Sequence, residues 1–209
     1  VFLETDDSDP EDLFENYSAG LFDYTGYDEI INAIIKSIIG NQKSLVSYYN
    51  AYQQKSKNFY VEPRRIVYYK GGLYVIVYIR KFEKFRLLAL QRIRKFKIQD
   101  EVYDPDPVFD VARFWKTKFG LFSADNQTVT LKFSPDVRMH IEDRHWHSSQ
   151  EYSEADNGSL ILELQVGLSP ELISWIFSWN EYVDVLAPPE LIEIVSKKVD
   201  RIKSKYLTT

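Results

Sequence analysis

The chain has 209 residues, 44% hydrophobic and 27% charged, which is enough apolar material for a folded core and too much for a disordered chain. No run approaches the length of a membrane-spanning helix; the densest apolar stretch, Ile30 to Ile39, is cut by Asn32, Lys36 and Ser37. There is no cysteine, which excludes disulfides, thiolate zinc sites and cysteine nucleophiles and fits a reducing cytoplasm. The first residues are acidic, without the basic-then-apolar order of a secretory leader. The chain opens at Val1 instead of Met, which points to a fragment or a processed chain.

The net charge of −5 hides a strong asymmetry. Gln42 to Ile98 carries fourteen Lys/Arg against two acids, Glu62 and Glu83, a net of +12, so everything else sums to −17. A segment of one sign is expected to face a polyanion or an acidic surface. The bland alternative is a solvated strand surface balanced by the acidic flanks.

Residues 1–26 form an acidic arm punctuated by Gly, Ser and Asp, in which Leu13-Phe14 and Leu21-Phe22 could dock onto a partner element. Asp28 is the expected N-cap of a helix to Ile39, with Ile30, Ile31, Ile34, Ile35 and Ile38 as its buried face and Gly40-Asn41 as its stop. The pattern then changes period. Leu45 to Tyr52, Asn58 to Val61, Arg65 to Tyr69, Leu73 to Arg80, Phe85 to Leu90 and Arg94 to Ile98 are short β-branched and aromatic runs. They are broken at Gln53-Gln54, Pro63, Gly71-Gly72 and Lys81 to Lys84. Five or six strands in so little chain predict a small, strongly curved barrel of the SH3, Sm or OB kind over 27–98.

Residues 99–126 are a connection with a helix expected over Val108 to Phe119. From 127 to 209 the elements alternate: strand Thr128–Phe133, helix Pro135–Ile141, strands Trp146–Tyr152 and Ser159–Val166, helix Pro170–Trp179, strand Tyr182–Leu186, helix Pro189–Tyr206. Asn157-Gly158 is a hairpin turn, and the three prolines sit where a helix start needs no N–H. This order is the split β-α-β-β-α-β arrangement with one added helix. In that last helix Leu191, Val195, Val199, Ile202 and Tyr206 mark one apolar face.

Signatures of enzymes are mostly missing: no phosphate-cradling glycine loop, dinucleotide fingerprint or nucleophile elbow is present. His140, Glu142, His145 and His147 are the one tempting cluster, with His145 and His147 expected on one strand face. Backbone hydrogen bonding explains such a cluster better than a metal, so no metal, cofactor or catalytic residue is assigned. The basic segment is the stronger candidate. It holds eight of the fifteen tyrosines, Tyr48, Tyr49, Tyr52, Tyr60, Tyr68, Tyr69, Tyr74 and Tyr78. Rings beside cations on a curved sheet suit single-stranded nucleic acid, where bases stack and cations follow phosphates. About half of these rings must instead be core, since strands alternate inside and out.

Tyr49-Asn50-Ala51-Tyr52, Val61-Glu62-Pro63, Gly71-Gly72-Leu73-Tyr74-Val75 and Arg86 through Arg92-Ile93 resemble, in order and spacing, a WYL domain. The naming triplet stands here as Leu73-Tyr74-Val75. The closing motif keeps Arg86 and Arg92 but has Ala89 and Gln91 where the family uses charged residues. Arg144 to Gln150, Asn157-Gly158-Ser159 and Val183 to Pro188 resemble the WCX extension that follows WYL domains.

The resemblance implies an Sm-like SH3 barrel followed by a ferredoxin-like domain, hence an α+β fold. It also implies a non-enzymatic, cytoplasmic, ligand-sensing part of a bacterial transcriptional regulator. Its barrel would bind single-stranded nucleic acid or a nucleotide and control an attached DNA-binding domain. Tyr74, Arg86 and Arg92 are the matched ligand positions, with Tyr49, Arg64 and Arg65 as neighbours. WCX implies a homodimer. Duplex DNA would be bound only through a helix-turn-helix that is not legible in residues 1–26. The alternative function is a protein-interaction module whose basic barrel meets an acidic partner. An enzyme acting on nucleotides rests on the histidine cluster alone.

Overall fold

A computed structural model describes residues 20–51, 53–105, 108–116, 118–121 and 125–207. Leu13-Phe14, Tyr52 and most of the expected acidic arm therefore lie outside the described residues. The chain divides into two compact units, Val1–Val108 and Phe109–Thr209. It is a mixed α+β protein with two antiparallel sheets and five helices among the described residues. None of those helices is long and apolar enough to cross a membrane.

In the first unit α1 (Asp28–Ile39) precedes five strands: β1 (Gln42–Asn50), β2 (Lys55–Tyr69), β3 (Gly72–Ile79), β4 (Lys84–Ala89) and β5 (Ile93–Val102). Their order is β4-β3-β2-β1-β5, and no ladder joins β4 to β5 among the described residues. The two runs expected on either side of Pro63 are one long bent strand. β2 pairs with β1 up to Val61 and with β3 from Glu62, and the register shifts between Pro63 and Arg65. Proline is tolerated there because the strand changes partners and its missing N–H breaks no ladder bond. Tyr48, Phe59, Ile66 and Phe96 pack around a buried set that includes Val46, Val61, Val75, Val77, Leu90 and Ile93.

Helix α1 closes this core with Ile34, fully buried, and with Ile30, Ile31 and Ile38 half-buried. Ile35, expected on the buried face, is 40% exposed. At about 100° per residue it lies past the edge of the arc centred on Ile34. Ser37 takes its place; its buried hydroxyl meets the Gln42 carbonyl at 2.6 Å and the Ser44 hydroxyl at 2.9 Å. Tyr27, not Asp28, is the N-cap, and Asp28 and Glu29 lie in the first turn, where carboxylates favour the helix dipole. Asn41, not Gly40, takes the left-handed turn at φ 47°. Leu21-Phe22 docks on its own unit: Phe22 N–H donates to the Gly71 carbonyl, and the Leu73 N–H donates to the Tyr24 hydroxyl at 2.6 Å.

In the second unit the helix expected over Val108–Phe119 is reduced to α2 (Val111–Trp115), capped by the Asp110 carboxylate on Arg113 N–H. Then follow β6 (Asn126–Phe133), α3 (Arg138–Glu142), β7 (Glu151–Glu154), β8 (Leu160–Gly167), α4 (Pro170–Phe177), β9 (Val183–Ala187) and α5 (Pro189–Tyr206). The sheet order is β7-β8-β6-β9, antiparallel throughout. Leu160, Leu162, Leu164 and Val166 alternate inward from the central strand β8 onto Leu131, Phe133, Ile141, Leu172 and Leu191. Asn157 and Gly158 both have positive φ in the β7–β8 turn, which only such residues adopt cheaply.

A further expectation is corrected here. Trp146–Gln150 is not strand: Trp146 and His147 N–H groups both donate to Gln150 Oε1, at 2.6 and 3.1 Å, and this side chain curls the segment before β7. The apolar face of α5 is only partly buried, since Val199, Ile202 and Tyr206 are 47%, 48% and 82% exposed. An eighteen-residue helix runs about 27 Å. It outreaches β9, whose five residues span about 17 Å.

Candidate nucleic-acid interface

Strand alternation explains where the positive charge goes. In β5, Ile93, Phe96 and Ile98 are buried or half-buried, while Arg94, Lys95 and Lys97 are exposed. Directly opposed residues of an antiparallel pair share a face, so Lys97, Leu45 and Tyr60 form one row across β5, β1 and β2, and Lys95, Ser47 and Asn58 the next. The Arg94 guanidinium lies 5.1 Å from the Tyr49 ring centre, and Lys43 Nζ lies 5.8 Å from that of Tyr60. Twelve of the fourteen cations between Gln42 and Ile98 are exposed, Lys43 and Arg64 being the half-buried ones.

Among the described residues of this unit a single carboxylate is buried, and it organises one end of the sheet. Glu62 is 2% exposed. Its Oε2 accepts from Arg64 Nη2 at 3.0 Å and its Oε1 from Arg80 Nε at 2.6 Å. Arg64 in turn stacks on Tyr103, 4.2 Å from its centroid, and Arg80 reaches the Asp104 carbonyl at 3.0 Å. Burial raises the Tyr103 pKa above its ordinary value, partly offset by the Arg64 charge, and its hydroxyl donates to the Pro63 carbonyl. A carboxylate shared by two guanidiniums satisfies the condition for keeping a charge out of water.

Where β3 parts from β2, beyond the Glu62–Tyr78 pair, the chain turns through Arg80–Phe82. The wedge between them is a groove of about 510 Å³ whose lining includes Lys43, Lys57, Tyr60, Arg80, Lys81 and Phe82. Two of its rings are unusually open: Tyr60 is 53% and Phe82 57% exposed.

The residues expected to bind ligand are spread over the sheet. Tyr74, half-buried, opposes Val67 and Ala89, and Arg65 opposes Ile76 on the same face of the β2–β3 ladder. Arg86 opposes Val77 on the other face, at the β4 edge, and is exposed. Arg92 is exposed at the end of the 3-10 turn Leu90–Arg92, Tyr49 sits against Arg94, and Arg64 is held by Glu62. Sequence reasoning missed the groove. Its signal is Arg80-Lys81-Phe82, cations beside a phenylalanine in a turn that simply breaks the strand pattern.

The histidines do not converge. His147 is buried, with Nδ1 2.7 Å from the Ser149 hydroxyl and Nε2 3.5 Å from the Trp115 carbonyl, whereas His140 and His145 are exposed. Because Trp146–Gln150 is not strand, His145 and His147 do not share a strand face. Among the described residues no three His, Asp or Glu side chains are placed to hold a metal ion.

A basic five-stranded sheet followed by a second antiparallel sheet with helices defines a two-unit α+β protein with a cationic face. The chain carries a WYL domain over residues 29–98 and a WCX domain over residues 125–202. Among solved structures it is similar to proteasome accessory factor B/C (PafBC) of Arthrobacter aurescens, at 16% identity over 91% of this chain and 29% of that one, with a TM-score of 0.42. It is also similar to a CRISPR Cas-related protein, at 13% identity over 85% of this chain and 51% of that one, with a TM-score of 0.55. The chain thus spans less than two thirds of either structure. No curated protein matches it.

Proposed function

We propose that this chain is the ligand-sensing, non-enzymatic part of a cytoplasmic transcriptional regulator, whose first unit binds single-stranded nucleic acid or a nucleotide and biases an attached DNA-binding domain. The observation that carries this reading is the exposure of Arg94, Lys95 and Lys97 on β5 and of Lys55 and Lys57 on β2, beside the half-buried Lys43 of β1 and the rings of Tyr49 and Tyr60. The WYL and WCX domains support it. So does the strand order β4-β3-β2-β1-β5 after a leading helix, which we take as an open Sm/SH3-like barrel. The order β7-β8-β6-β9 is taken as ferredoxin-like. Arg86, Arg92 and Arg65 supply exposed charge to a phosphate backbone, and Tyr74 a half-buried ring. A homodimer would cover the exposed stripe Val199, Ile202 and Tyr206 on α5. In that case Val199→Asp with Ile202→Asp shifts the sedimentation coefficient to the monomer value.

The test is fluorescence anisotropy of a labelled single-stranded oligonucleotide across a salt series. Each neutralised phosphate contributes about −0.7 to the slope of log K against log salt. A slope of several units is expected; a folded protein that leaves the oligonucleotide unbound at low salt ends this reading. Nuclease-resistant capture of an acidic protein by the same face would replace it with the protein-interaction function.

A further inference from the structure

We infer that the groove between β2 and the Arg80–Phe82 turn is a base-binding site, in which Tyr60 and Phe82 each stack a nucleobase and Lys43, Lys57, Arg80 and Lys81 hold the phosphates. This rests on the proposed nucleic-acid function and adds to it a place and a mode of binding that involve none of the family-matched positions.

Three observations carry it. Tyr60 and Phe82 lie in the same groove and expose more than half their surface, which costs hydration free energy that a bound base would recover. Tyr60 takes no part in the core, whereas Phe59 and Val61, beside it, do. The cations are arranged about these rings: Lys43 Nζ lies 5.8 Å from the centroid of Tyr60 and Lys81 Nζ 5.8 Å from that of Phe82. Arg80 is held in place from beneath, since Glu62 and the Asp104 carbonyl fix its guanidinium while its side chain stays 48% exposed. A pre-positioned guanidinium loses little freedom on meeting a phosphate. The groove has one acidic side chain, Glu62, against four basic ones, and that carboxylate is already bound to Arg64 and Arg80. The charge therefore favours an anionic ligand, and the paired open rings favour one that carries flat π-faces. Every nucleotide of a nucleic acid strand has both; an Asp or Glu residue has only the first.

Phosphate attraction and base stacking can be separated. A short fluorescein-labelled oligothymidylate and an abasic strand of equal length carry the same phosphates, but only the first has bases. The oligothymidylate is expected to bind at least about tenfold more tightly, since two base–aromatic stacks together are worth more than that. Tyr60→Ala and Phe82→Ala are each expected to weaken the oligothymidylate about tenfold and to leave the abasic strand unchanged, while Tyr60→Phe keeps wild-type affinity. Both rings are exposed, so the melting temperature of each variant should match the wild type. If both alanine variants bind the oligothymidylate as the wild type does, the site lies elsewhere and only this inference falls. If neither strand binds the folded protein at low salt, the nucleic-acid function falls with it. Displacement of the oligothymidylate by polyglutamate of equal charge as readily as by unlabelled oligothymidylate would make the groove a protein-docking surface and overturn the assignment.

Discussion

In the N-terminal unit one end of the sheet is built on a buried carboxylate, Glu62, shared by two arginines; in the C-terminal unit the largest fully buried side chains are Phe133, Ile141 and a set of leucines. All four tryptophans belong to the second unit, and three of them, Trp146, Trp175 and Trp179, pack edge-on or tilted against one another. The first unit buries Tyr78 and Tyr103 but leaves other rings in the open, among them Tyr60, Tyr68 and Phe82. Charge follows the same division: the +12 segment lies in the first unit, whereas residues 109–209 carry eleven basic against fifteen acidic residues. The two sheets are finished differently: the second is closed by apolar packing against its helices, whereas the first packs on α1 and keeps a cationic face with open rings in solvent.

Glu62→Gln tests this contrast most severely. It leaves Arg64, whose side chain is only 6% exposed, without its counter-charge, and a loss of about 3–5 kcal/mol is expected by chemical denaturation. Leu164→Ala in β8 removes a fully buried side chain and should cost about 2–5 kcal/mol by cavity formation. High salt should leave the Leu164 effect untouched; an effect of Glu62→Gln that is equally insensitive to removal of Arg64 would mean that the ion pair is not what holds this end of the sheet. Tyr103→Phe strands the Pro63 carbonyl and should cost about 1–3 kcal/mol.

His147 provides a pH signature confined to the second unit. Burial holds its pKa below the ordinary 6.5, partly offset by the Trp115 carbonyl. The unfolded chain therefore takes up a proton that the folded one refuses. Stability is full above about 6.5 and is lost as pH falls from there toward the depressed folded value. His147→Gln should flatten that part of a urea-midpoint-against-pH profile, and an unchanged profile would dismiss the assignment. The smallest effect on stability belongs to Arg86→Ala. As an exposed edge residue it should move stability by no more than about 0.5 kcal/mol while weakening oligonucleotide binding; a large loss of stability would make Arg86 part of the fold.

Much of the architecture is legible locally. Helix α1 begins and ends where its isoleucine spacing does, and Pro170 and Pro189 stand at the first positions of α4 and α5. Asn157-Gly158 turns β7 into β8 because those two residues accept positive φ. What local pattern misread was set by partners distant in sequence. Pro63 looks like a strand end, yet β2 runs through it because β1 and β3 take opposite halves of the strand. Trp146–Gln150 alternates like a strand, yet one glutamine side chain satisfies two of its N–H groups and curls it.

The candidate site divides in the same way. That Gln42 to Ile98 is cationic and rich in tyrosine is a property of composition, and the sequence by itself determined it, along with the order of the elements and the motifs of the two domains. Which rings lie open and which arginine is spent on a buried carboxylate are matters of register and curvature. Glu62 meets Arg80 across eighteen residues of chain, and Tyr60 comes to share a groove with Phe82 because β3 leaves β2 at Tyr78. Only the tertiary structure decided these, because a side chain's burial depends on what the rest of the fold brings against it.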